Sequence, residues 1–513
     1  MPTMKNKQLN QLIYFFGLSK LLIHFFTNTN YSFHRDEYLY LDQGNHLGLG
    51  FMEIPPLLPV ISKVIGWLGS SVFVTRLFPA LIGMATIILA GMIVKKLGGR
   101  KWAIIFTCGG LLLSPAMLGS NTLFQPVSFN QFFWFLSAYL LLQAIKTEQP
   151  RFWYLLGVSI GFGFLMKYSI VFYGVSVVVA LLFTPQRKWL TTKYPYLALL
   201  IAMVIASPNL LWQYEHNWPV IHHMQELAES QLVHINWIGF LLEQIQFHFA
   251  FSIIWIAGLV GLFSWEKFKP YRFLGIGFLL TILLIGSLSG KAYYTIGAFT
   301  ILFPFGGIVL EKWISKNAVR ASLFLGMTIL TIPILPYVLP VFKIDKMKSY
   351  CKFMDEKAGL EGPLIWEDNR KYELPQDYAD MFGWEELCER VAKVYHDLPD
   401  EKKEKCLVYA GNYGHAGSLN YYAKKYDLPE IHCFNSSYVM WIKEDVDFNN
   451  QIMVEDSRQS ETSDYFENRV LMDSIQDPYA RERGFIYFQE IPKVDVKEAW
   501  KNIVKGEKEE FNF

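Results

Sequence analysis

The chain has 513 residues, of which 52% are hydrophobic, 16% are aromatic and only 18% are charged. Soluble proteins carry roughly 25% charged residues, so this composition argues against a soluble protein and predicts a polytopic membrane protein. The formal net charge of +1 indicates nothing by itself, because the charged residues are unevenly placed. They form small groups between apolar runs as far as residue 341 and are dense from Lys343 onward. We therefore expect a membrane domain at 1–341 and a soluble extracytoplasmic α/β domain at 342–513.

Eleven apolar segments are candidates for membrane spans, because a spanning helix needs about 20 mostly apolar residues. They are residues 11–27, 72–94, 102–118, 126–145, 152–166, 168–184, 194–212, 237–262, 273–287, 294–311 and 321–341. The first segment follows Lys5 and Lys7 and has no small-residue cleavage site after it, so it is predicted to be a retained helix and not a signal peptide.

The Lys and Arg residues between these segments indicate the orientation, since such residues are concentrated in cytoplasmic loops. One set of alternate loops holds most of them: Lys5, Lys7, Lys95, Lys96, Arg100, Lys101, Lys146, Arg151, Arg187, Lys188, Lys193, Lys267, Lys269, Arg272, Lys312, Lys316 and Arg320. The opposite set holds Arg35, Lys63, Lys167 and Lys291. This distribution predicts a multi-pass protein of the cytoplasmic membrane with a cytoplasmic N-terminus. An odd number of spans then places the C-terminal domain outside.

The long outer loop at 28–71 carries an acidic pair next to basic residues: His34, Arg35, Asp36 and Glu37. One carboxylate could accept a proton from an attacking hydroxyl group, and the other could hold a metal ion or fix a neighbouring base. The alternative is structural, because acidic residues favour helix N-termini and a helix could begin near Asp36. Arg35 could then simply pair with one of the carboxylates. Further along the loop, residues 57–68 are expected to form a helix on the membrane surface.

Three basic residues at the outer membrane boundary are candidates for binding a phosphate group. Lys167 and Lys291 each follow an apolar run on the outer side, and Arg76 lies just inside the second span. An ionisable residue within a span suggests a function, and three such residues on one side favour an anionic, lipid-linked ligand. The alternative is that each side chain snorkels to the lipid headgroups.

Histidines and cysteines offer weaker signals for metal ligands or disulfides. His216, His222 and His223 in the loop 212–236 could ligate a metal, but adjacent histidines point to different sides of a helix, so ordinary interfacial histidines are favoured. The polar part contains Cys351, Cys388, Cys406 and Cys433, and Cys108 lies in an apolar run. Two disulfides are conceivable among these four, but buried thiols are the favoured interpretation.

The C-terminal part alternates helix and strand patterns. These patterns predict a helix over 377–395, a strand over 406–410, a helix over 418–425 and a strand over 431–434, in a βαβ arrangement. Residues 411–417 contain three glycines without the spacing of a nucleotide-binding loop, so they are predicted to form a structural turn. Residues 444–475 are acidic and polar and are expected to be rich in loops.

Together these motifs resemble glycosyltransferase family 39, which contains protein O-mannosyltransferases and aminoarabinose transferases of lipid A. In the membrane part the resemblance lies in the acidic pair, in Pro55-Pro56-Leu57, and in Arg76-Leu-Phe-Pro-Ala-Leu81 at the start of the second span. Residues 161–168 and 290–294 are similar to further stretches of bacterial members. Residues 374–384 and 411–417 resemble the outer domain of one bacterial subgroup. His415 is a departure, since that subgroup often carries an acidic residue there.

The resemblance implies a GT-C type glycosyltransferase, in which the outer loop 28–71 of the membrane domain is catalytic. It implies inverting transfer of a sugar from a polyprenyl-phosphate donor to a lipid, glycan or protein acceptor at the outer face of the membrane. Asp36 would be the general base or would orient the acceptor, with Glu37 completing the pair. The expected substrate-binding residues are His34, Arg35, Arg76, Lys167, Lys291, Tyr293 and Tyr294. No nucleic-acid partner is expected. No cofactor is certain, but a divalent metal held by one of the carboxylates is possible.

Two other classes of function stay open at this level. A transporter or flippase of lipid-linked sugars could use the same basic residues as a transit site, but the paired repeats and broken helices typical of transporters are not visible in the sequence. An assembly or scaffold subunit would instead work through its C-terminal domain. The large outer loop favours the enzyme.

Overall fold

The computed structural model describes residues 6–230, 236–460 and 462–513. Lys5, which contributes to the predicted orientation, and residues 231–235 of the predicted loop 212–236 lie outside the described residues. The chain divides into two compact units. The membrane unit comprises Met1–Thr29, Phe73–Leu210 and Met224–Val341, and the loop–tail unit comprises Asn30–Val72, Leu211–His223 and Phe342–Phe513. One division coincides with the predicted boundary after residue 341, but residues 30–72 and 211–223 group with the C-terminal residues and not with the membrane helices.

The membrane unit is built from helices that cover the predicted apolar segments. Their bounds are Asn6–Thr27, Val72–Lys96, Lys101–Ile104, Gly110–Leu113, Pro115–Ser120, Pro126–Thr147, Pro150–Met166, Ile170–Leu182, Tyr194–Glu215, Trp237–Gln246, Ser252–Ser264, Arg272–Ser287, Ile296–Phe299, Leu302–Trp313 and Asn317–Thr331. A π-helical turn at Ile105–Gly109 joins two of the short pieces. Because a helix satisfies its backbone groups internally, it is the form in which apolar chain can lie in lipid. The predicted polytopic α-helical architecture is confirmed.

Length and composition alone identify fewer spans than the sequence suggests. Among the described residues, five helices are long and apolar enough to cross a membrane, and up to eight qualify if each bent helix pair counts as one span. The number of eleven spans stays a prediction.

Three predicted segments are not single straight helices, and this corrects the sequence-based expectation. The segment 102–118 is interrupted at Ser114, between Gly110–Leu113 and Pro115–Ser120. The segment 237–262 bends by 87° between Trp237–Gln246 and Phe249–Ser264, and the segment 294–311 bends by 54° between Ala292–Phe299 and Leu302–Trp313. At the first bend Phe249 has a φ of 45°. This left-handed conformation cannot lie within a right-handed α-helix, and it falls between helices Trp237–Gln246 and Ser252–Ser264.

Glycines allow two helices of the membrane unit to pack closely. A Cβ atom at Gly306 would lie 1.7 Å from the carbonyl oxygen of Ile254, and one at Gly258 would lie 2.2 Å from that of Leu302. Helices Ser252–Ser264 and Leu302–Trp313 therefore touch backbone to backbone. Small residues at such crossings increase the van der Waals contact that holds membrane helices together.

The loop–tail unit combines short helices with one sheet. Its helices are Arg35–Gln43, Leu57–Trp67, Ile344–Ala358, Gln376–Ala379, Trp384–His396, Asp400–Lys403, Tyr413–Tyr426 and Val496–Phe511, and helix Pro219–Ser230 begins in it. The strands are β1 (Cys406–Ala410), β2 (Ile431–His432), β3 (Asn450–Glu455), β4 (Phe466–Asp473) and β5 (Phe485–Pro492). The predicted helix over 57–68 is present as Leu57–Trp67.

The five-stranded sheet has the order β2-β1-β3-β5-β4. Strand β1 pairs in parallel with β2 and β3, whereas β5 pairs antiparallel with β3 and β4. The helix Tyr413–Tyr426 connects β1 to β2, so the predicted βαβ arrangement and the small α/β domain are confirmed. A core that includes Leu387, Val408 and Ile452 packs the helices against the sheet.

One prediction for this unit is wrong. Residues 411–417 are not a turn, because a helix begins at Tyr413 after the N-cap residue Asn412, whose side chain accepts a hydrogen bond from the backbone N–H of His415. Most of the described residues in 444–475 lie outside helices and strands, as expected, but this stretch also contains β3 and β4. Strand β4 is an edge strand with most of its residues exposed or half-buried, so it lacks the apolar signal of a core strand.

The cysteines agree with the favoured interpretation. All five are free thiols: Cys108, Cys351, Cys388 and Cys433 are buried, and Cys406 is half-buried.

Candidate active site

The acidic pair lies at the start of helix Arg35–Gln43, which we call the loop helix. His34 is its N-cap residue, and its Nδ1 atom accepts a hydrogen bond of 3.1 Å from the backbone N–H of Asp36. Glu37 reaches back, and its Oε2 atom accepts a hydrogen bond of 2.8 Å from the backbone N–H of His34. This reciprocal pattern is a capping box. Glu37, which is fully buried, therefore fixes the start of the helix.

The capping box separates the roles of the two carboxylates. The structural alternative raised for the acidic pair, a helix cap, is realised by Glu37. The Asp36 carboxylate is not in the cap, and 28% of its side chain is exposed. Its Oδ1 atom accepts a hydrogen bond of 2.9 Å from the hydroxyl group of Tyr413. Asp36 is thus the member of the pair whose carboxylate solvent can reach.

Tyr413 and Arg35 form the wall beside Asp36. The Arg35 guanidinium lies over the Tyr413 ring, 4.3 Å from its centroid, a cation–π geometry. Burial and the charge of Asp36 raise the pKa of Tyr413 well above its usual range, against an opposing effect of Arg35. The Tyr413 hydroxyl group is therefore a neutral hydrogen-bond donor at any physiological pH, and it orients the Asp36 carboxylate.

Arg35 is held by a buried carboxylate from the C-terminal part. Its Nη1 atom lies 3.2 Å from Oε1 of Glu482. Burial raises the pKa of Glu482, but its contact with His415 and the charges of His415 and Arg35 outweigh this and lower the pKa to about 2. Glu482 is therefore ionised across the physiological range. The binding role predicted for Arg35 stays a prediction, because this guanidinium already serves a structural ion pair.

His34 lies among carboxylates. Its Nε2 atom is 3.7 Å from Oδ2 of Asp380 and 4.0 Å from Oδ1 of Asp377, and its Nδ1 atom is 3.9 Å from Oδ2 of Asp36. Burial lowers the pKa of His34, but the negative charges of Asp36, Asp380 and Asp377 outweigh burial, so the net shift is upward. Arg481 forms an ion pair with Asp380, in which its Nη1 atom donates hydrogen bonds of 3.2 and 2.9 Å to the two carboxylate oxygens.

Two glycines explain how helix Tyr413–Tyr426 comes so close to the loop helix. A Cβ atom at Gly414 would lie 2.9 Å from both Arg35 and Trp384, and one at Gly417 would lie 2.9 Å from Cβ of Tyr38. Any larger residue would push the two helices apart. The glycine pattern of residues 411–417 therefore serves helix packing, which the sequence analysis did not anticipate.

Glu53 anchors the second half of the loop. Its carboxylate accepts hydrogen bonds from Gln43 Nε2 at 2.8 Å, from the backbone N–H of Ser437 at 2.7 Å and from the Ser437 hydroxyl group at 2.7 Å. The hydroxyl group of Ser436 also donates to it. Four donors converge on this one carboxylate, so the chain between the loop helix and helix Leu57–Trp67 is fixed to the C-terminal part.

In the membrane unit, three of the predicted residues meet. The ammonium group of Lys167 lies 5.1 Å from the ring centroid of Tyr293 and 4.8 Å from that of Tyr294. Lys167 is the residue that follows helix Pro150–Met166, and the two tyrosines lie in a short 3-10 helix at Ala292–Thr295. Lys291 precedes that turn directly and is half-buried. These residues form a cationic and aromatic cluster.

Arg76 is placed differently from the expectation of an accessible phosphate-binding residue. It is fully buried, and its Nη1 atom donates a hydrogen bond of 2.8 Å to the carbonyl oxygen of Asn28. The Asn28 side chain donates in return to the Arg76 carbonyl oxygen at 3.0 Å. This reciprocal pair locks the ends of the first two long helices together, so packing is the role that the geometry favours.

The histidines near residue 220 do not form a metal-binding group within the described part of the chain. His216 stacks on Trp212 with ring centroids 4.6 Å apart, and His222 lies 3.8 Å from Glu510. The favoured interpretation of interfacial histidines fits these contacts. Four residues around the start of the loop helix were not predicted from the sequence: Tyr413, Glu482, Asp380 and Arg481. They follow Asp36 by more than 340 residues, so no local pattern could have connected them.

Comparisons with known proteins agree with the predicted resemblance. Residues 53–212 match the family described as Dolichyl-phosphate-mannose-protein mannosyltransferase, a range that begins after Asp36. The curated relative Lipid A galacturonosyltransferase RgtD of Rhizobium johnstonii is 25% identical over 311 residues, which is 57% of this chain and 63% of the relative. The alignment thus spans less than two thirds of that relative's length.

Solved structures of ArnT from Cupriavidus metallidurans share the fold. The structure bound to undecaprenyl phosphate matches with a TM-score of 0.58 at 13% identity, covering 92% of this chain and 97% of ArnT. The apo structure gives a TM-score of 0.56 at 12% identity with the same coverage. These matches confirm the predicted GT-C type of fold. The matching family and the curated relative are both named as sugar transferases.

Proposed function

We propose that this protein transfers a sugar from a polyprenyl-phosphate donor to a hydroxyl group of an acceptor, with Asp36 as the general base. The observation that carries the proposal is the division of labour at the loop helix. Glu37 is buried in the cap, whereas Asp36 is partly exposed and is oriented by the Tyr413 hydroxyl group at 2.9 Å. A general base requires a carboxylate that is both oriented and accessible.

In the proposed reaction, the acceptor hydroxyl group attacks the anomeric carbon of the donor from the face opposite the phosphate. A bond forms between the acceptor oxygen and this carbon while the bond from the carbon to the phosphate oxygen breaks. Asp36 takes up the hydroxyl proton, and the polyprenyl phosphate leaves with the bonding electrons. A single displacement of this kind inverts the configuration at the anomeric carbon.

We assign the donor phosphate to the cluster of Lys167, Tyr293 and Tyr294. The ammonium group of Lys167 lies against two aromatic rings at the end of a helix, and a positive charge in such a setting stabilises the charge that develops on a leaving phosphate. Lys291, next to the same turn, is the second cation of this assignment. The buried Arg76 is not included, because its guanidinium already holds Asn28.

The acceptor and the orientation are part of the same proposal. The relative RgtD is named for lipid A, so a lipid A acceptor is the first to test, ahead of other glycans and proteins. The distribution of Lys and Arg supports a cytoplasmic N-terminus and a reaction at the outer face of the cytoplasmic membrane.

The test uses the purified full-length chain in lipid nanodiscs. Undecaprenyl phosphate that carries mannose, galacturonic acid or aminoarabinose is offered with lipid A, and product is followed by mass spectrometry. Asp36→Asn keeps the shape of the side chain but removes the base, so we expect transfer to fall about a hundred- to ten-thousand-fold. Asp400→Asn is the matched control, because the Asp400 side chain is 99% exposed.

Two results would contradict the proposal. Transfer by Asp36→Asn at the wild-type rate would remove Asp36 from the chemistry. Wild-type protein that moves a labelled lipid-linked sugar across the bilayer and transfers it to no acceptor would establish the alternative function, a transporter or flippase.

A further inference from the structure

A fully buried histidine lies between two carboxylates in the loop–tail unit. His415, in the first turn of helix Tyr413–Tyr426, has no exposed surface. Its Nε2 atom is 3.0 Å from Oε2 of Glu482, and its Nδ1 atom is 3.5 Å from Oδ1 of Asp456. Neither ring nitrogen forms a hydrogen bond of acceptable geometry with any residue that the structure describes.

The three residues have the chemistry of metal ligands. Each of His415, Asp456 and Glu482 offers one ligand atom, and these atoms lie within 4.8 Å of one another. Ligands around a divalent ion at about 2.0–2.2 Å are themselves separated by little more than 3 Å, so a contraction of up to about 1.5 Å is needed. Asp456 can supply it, because its side chain is 59% exposed just after β3.

Neighbouring side chains hold the ligands in place. The Asn412 side-chain amide donates to Oε2 of Glu482 at 2.9 Å and also to Asp456. Its oxygen accepts a hydrogen bond of 2.9 Å from the backbone N–H of His415. Arg35 binds the other oxygen of Glu482 at 3.2 Å. Ligating groups are usually fixed by such outer partners, which set their orientation.

Electrostatics favour a cation at this point. Asn412 draws two carboxylates to the same amide group, where they repel one another unless positive charge lies between them. One imidazole nitrogen and two carboxylate oxygens form a borderline-hard set that suits Zn²⁺ or Mn²⁺ and does not suit Cu⁺ or an iron–sulfur cluster. Three protein ligands also leave a coordination position open, and the exposed side of Asp456 provides a path for entry.

We propose that His415, Asp456 and Glu482 bind a divalent cation of the Zn²⁺ or Mn²⁺ class. Bound there, the ion ties the start of helix Tyr413–Tyr426 to the segment after β3 and to the segment that carries Glu482. Glu482 also holds Arg35, whose guanidinium packs on Tyr413 beside Asp36. The ion is therefore a positioning element for the loop helix, and this last role, unlike the binding itself, rests on the proposed function.

The binding is tested on the full-length protein without any transfer assay. Protein stripped with EDTA is saturated with Zn²⁺ or Mn²⁺ and desalted, and metal content and thermal unfolding are then measured. We expect about one equivalent of metal and a higher Tm for the loaded protein, since a ligand that binds only the folded state stabilises it. Asp456→Asn is the main variant, because the Asp456 side chain is exposed and its substitution should leave the fold intact. His415→Gln is the second variant.

The outcomes separate the proposals. In Asp456→Asn the affinity should fall at least about tenfold, whereas His396→Gln, which alters an exposed histidine of the same unit, should bind as the wild type does. The proposal fails if the wild-type protein retains well under one equivalent, if Asp456→Asn binds equally tightly, or if only Mg²⁺ and Ca²⁺ raise the Tm. If the protein binds the metal but transfers no sugar, the result contradicts the proposed function and leaves the metal site supported.

Discussion

The anchor at Glu53 provides the most quantitative prediction. Its carboxylate accepts hydrogen bonds from Gln43, from the hydroxyl group of Ser436, and from both the backbone N–H and the hydroxyl group of Ser437. Glu53→Gln preserves the shape of the side chain but replaces one acceptor oxygen by an NH₂ group. A carboxylate accepts on both oxygens, whereas an amide donates on one side. Whichever way the glutamine turns, its NH₂ group faces an N–H donor of Gln43 or Ser437.

The cost follows from these contacts. Hydrogen bonds to a charged acceptor contribute about 1.5–3 kcal/mol, against about 0.5–1.5 kcal/mol for neutral pairs, and an unpaired buried N–H costs about 1–3 kcal/mol. The substitution weakens the remaining hydrogen bonds, and one N–H group then faces the NH₂ group of the glutamine instead of an acceptor. We therefore expect the free energy of unfolding of the loop–tail unit to fall by about 3 kcal/mol. In a unit of roughly two hundred residues, this corresponds to a Tm lower by about 6–12 °C.

The assay is thermal unfolding of the full-length protein in nanodiscs, followed by tryptophan fluorescence. All variants are heated at one rate, because irreversible unfolding makes the apparent Tm depend on scan rate. Glu430→Gln is the control, since Glu430 pairs with Lys443 at the surface with half of its side chain exposed. We expect the control to change the unfolding free energy by less than about 0.5 kcal/mol. A Tm for Glu53→Gln within about 2 °C of the wild type would refute the reasoning.

Three further predictions concern other parts of the chain. Tyr413→Phe removes the donor to Asp36, so kcat should fall about tenfold with KM unchanged, as expected for a hydrogen bond to a charged group; a raised KM with unchanged kcat would contradict an orienting role. Lys167→Gln should raise KM for the polyprenyl-phosphate donor about tenfold, as loss of a charge-assisted contact predicts, and an unchanged KM would indicate a lysine that only snorkels. Burial raises the pKa of Glu386, but hydrogen bonds from two backbone N–H groups and an arginine outweigh burial and lower it below 4.5. Glu386 therefore contributes stability above pH 4.5 that is lost as the pH falls through the lowered pKa of the folded state. The Tm of Glu386→Gln should accordingly lie below that of the wild type at pH 7, with the gap closing under acid conditions, and a constant gap from pH 7 to pH 3 would contradict this.

The candidate active site is built from the loop 28–71 and from the C-terminal part of the chain. The loop helix shares a compact unit with residues 342–513, and the groups around Asp36 come from both. Tyr413 orients Asp36, Glu482 holds Arg35, and Asp380 lies beside His34. The C-terminal part therefore supplies side chains to the candidate active site. Its removal would leave Arg35 without Glu482 and Asp36 without the Tyr413 hydroxyl group.

Features that depend on a local pattern of residues can be predicted from the amino-acid sequence. Long apolar runs predicted the membrane helices, because lipid admits only backbone that satisfies its own hydrogen bonds. Strand β1 and the following helix are visible from their hydrophobic spacing, since one face of each must enter a core. The spacing from His34 to Glu37 contains the capping box, because a cap is made within one turn of helix. The choice of Asp36 came from the family resemblance.

Contacts between residues that are far apart in the chain become visible only in the folded structure. Asp36 and Tyr413 meet across 377 positions, and no periodic pattern records a contact of that range. The glycines at 414 and 417 look like a turn in the sequence, but they permit the close packing of two helices. Edge strand β4 escaped notice because it buries little of its surface. In the sequence, His415 is only a departure from the family resemblance. The fold brings it between the carboxylates of Asp456 and Glu482, and the three side chains together form the proposed metal site.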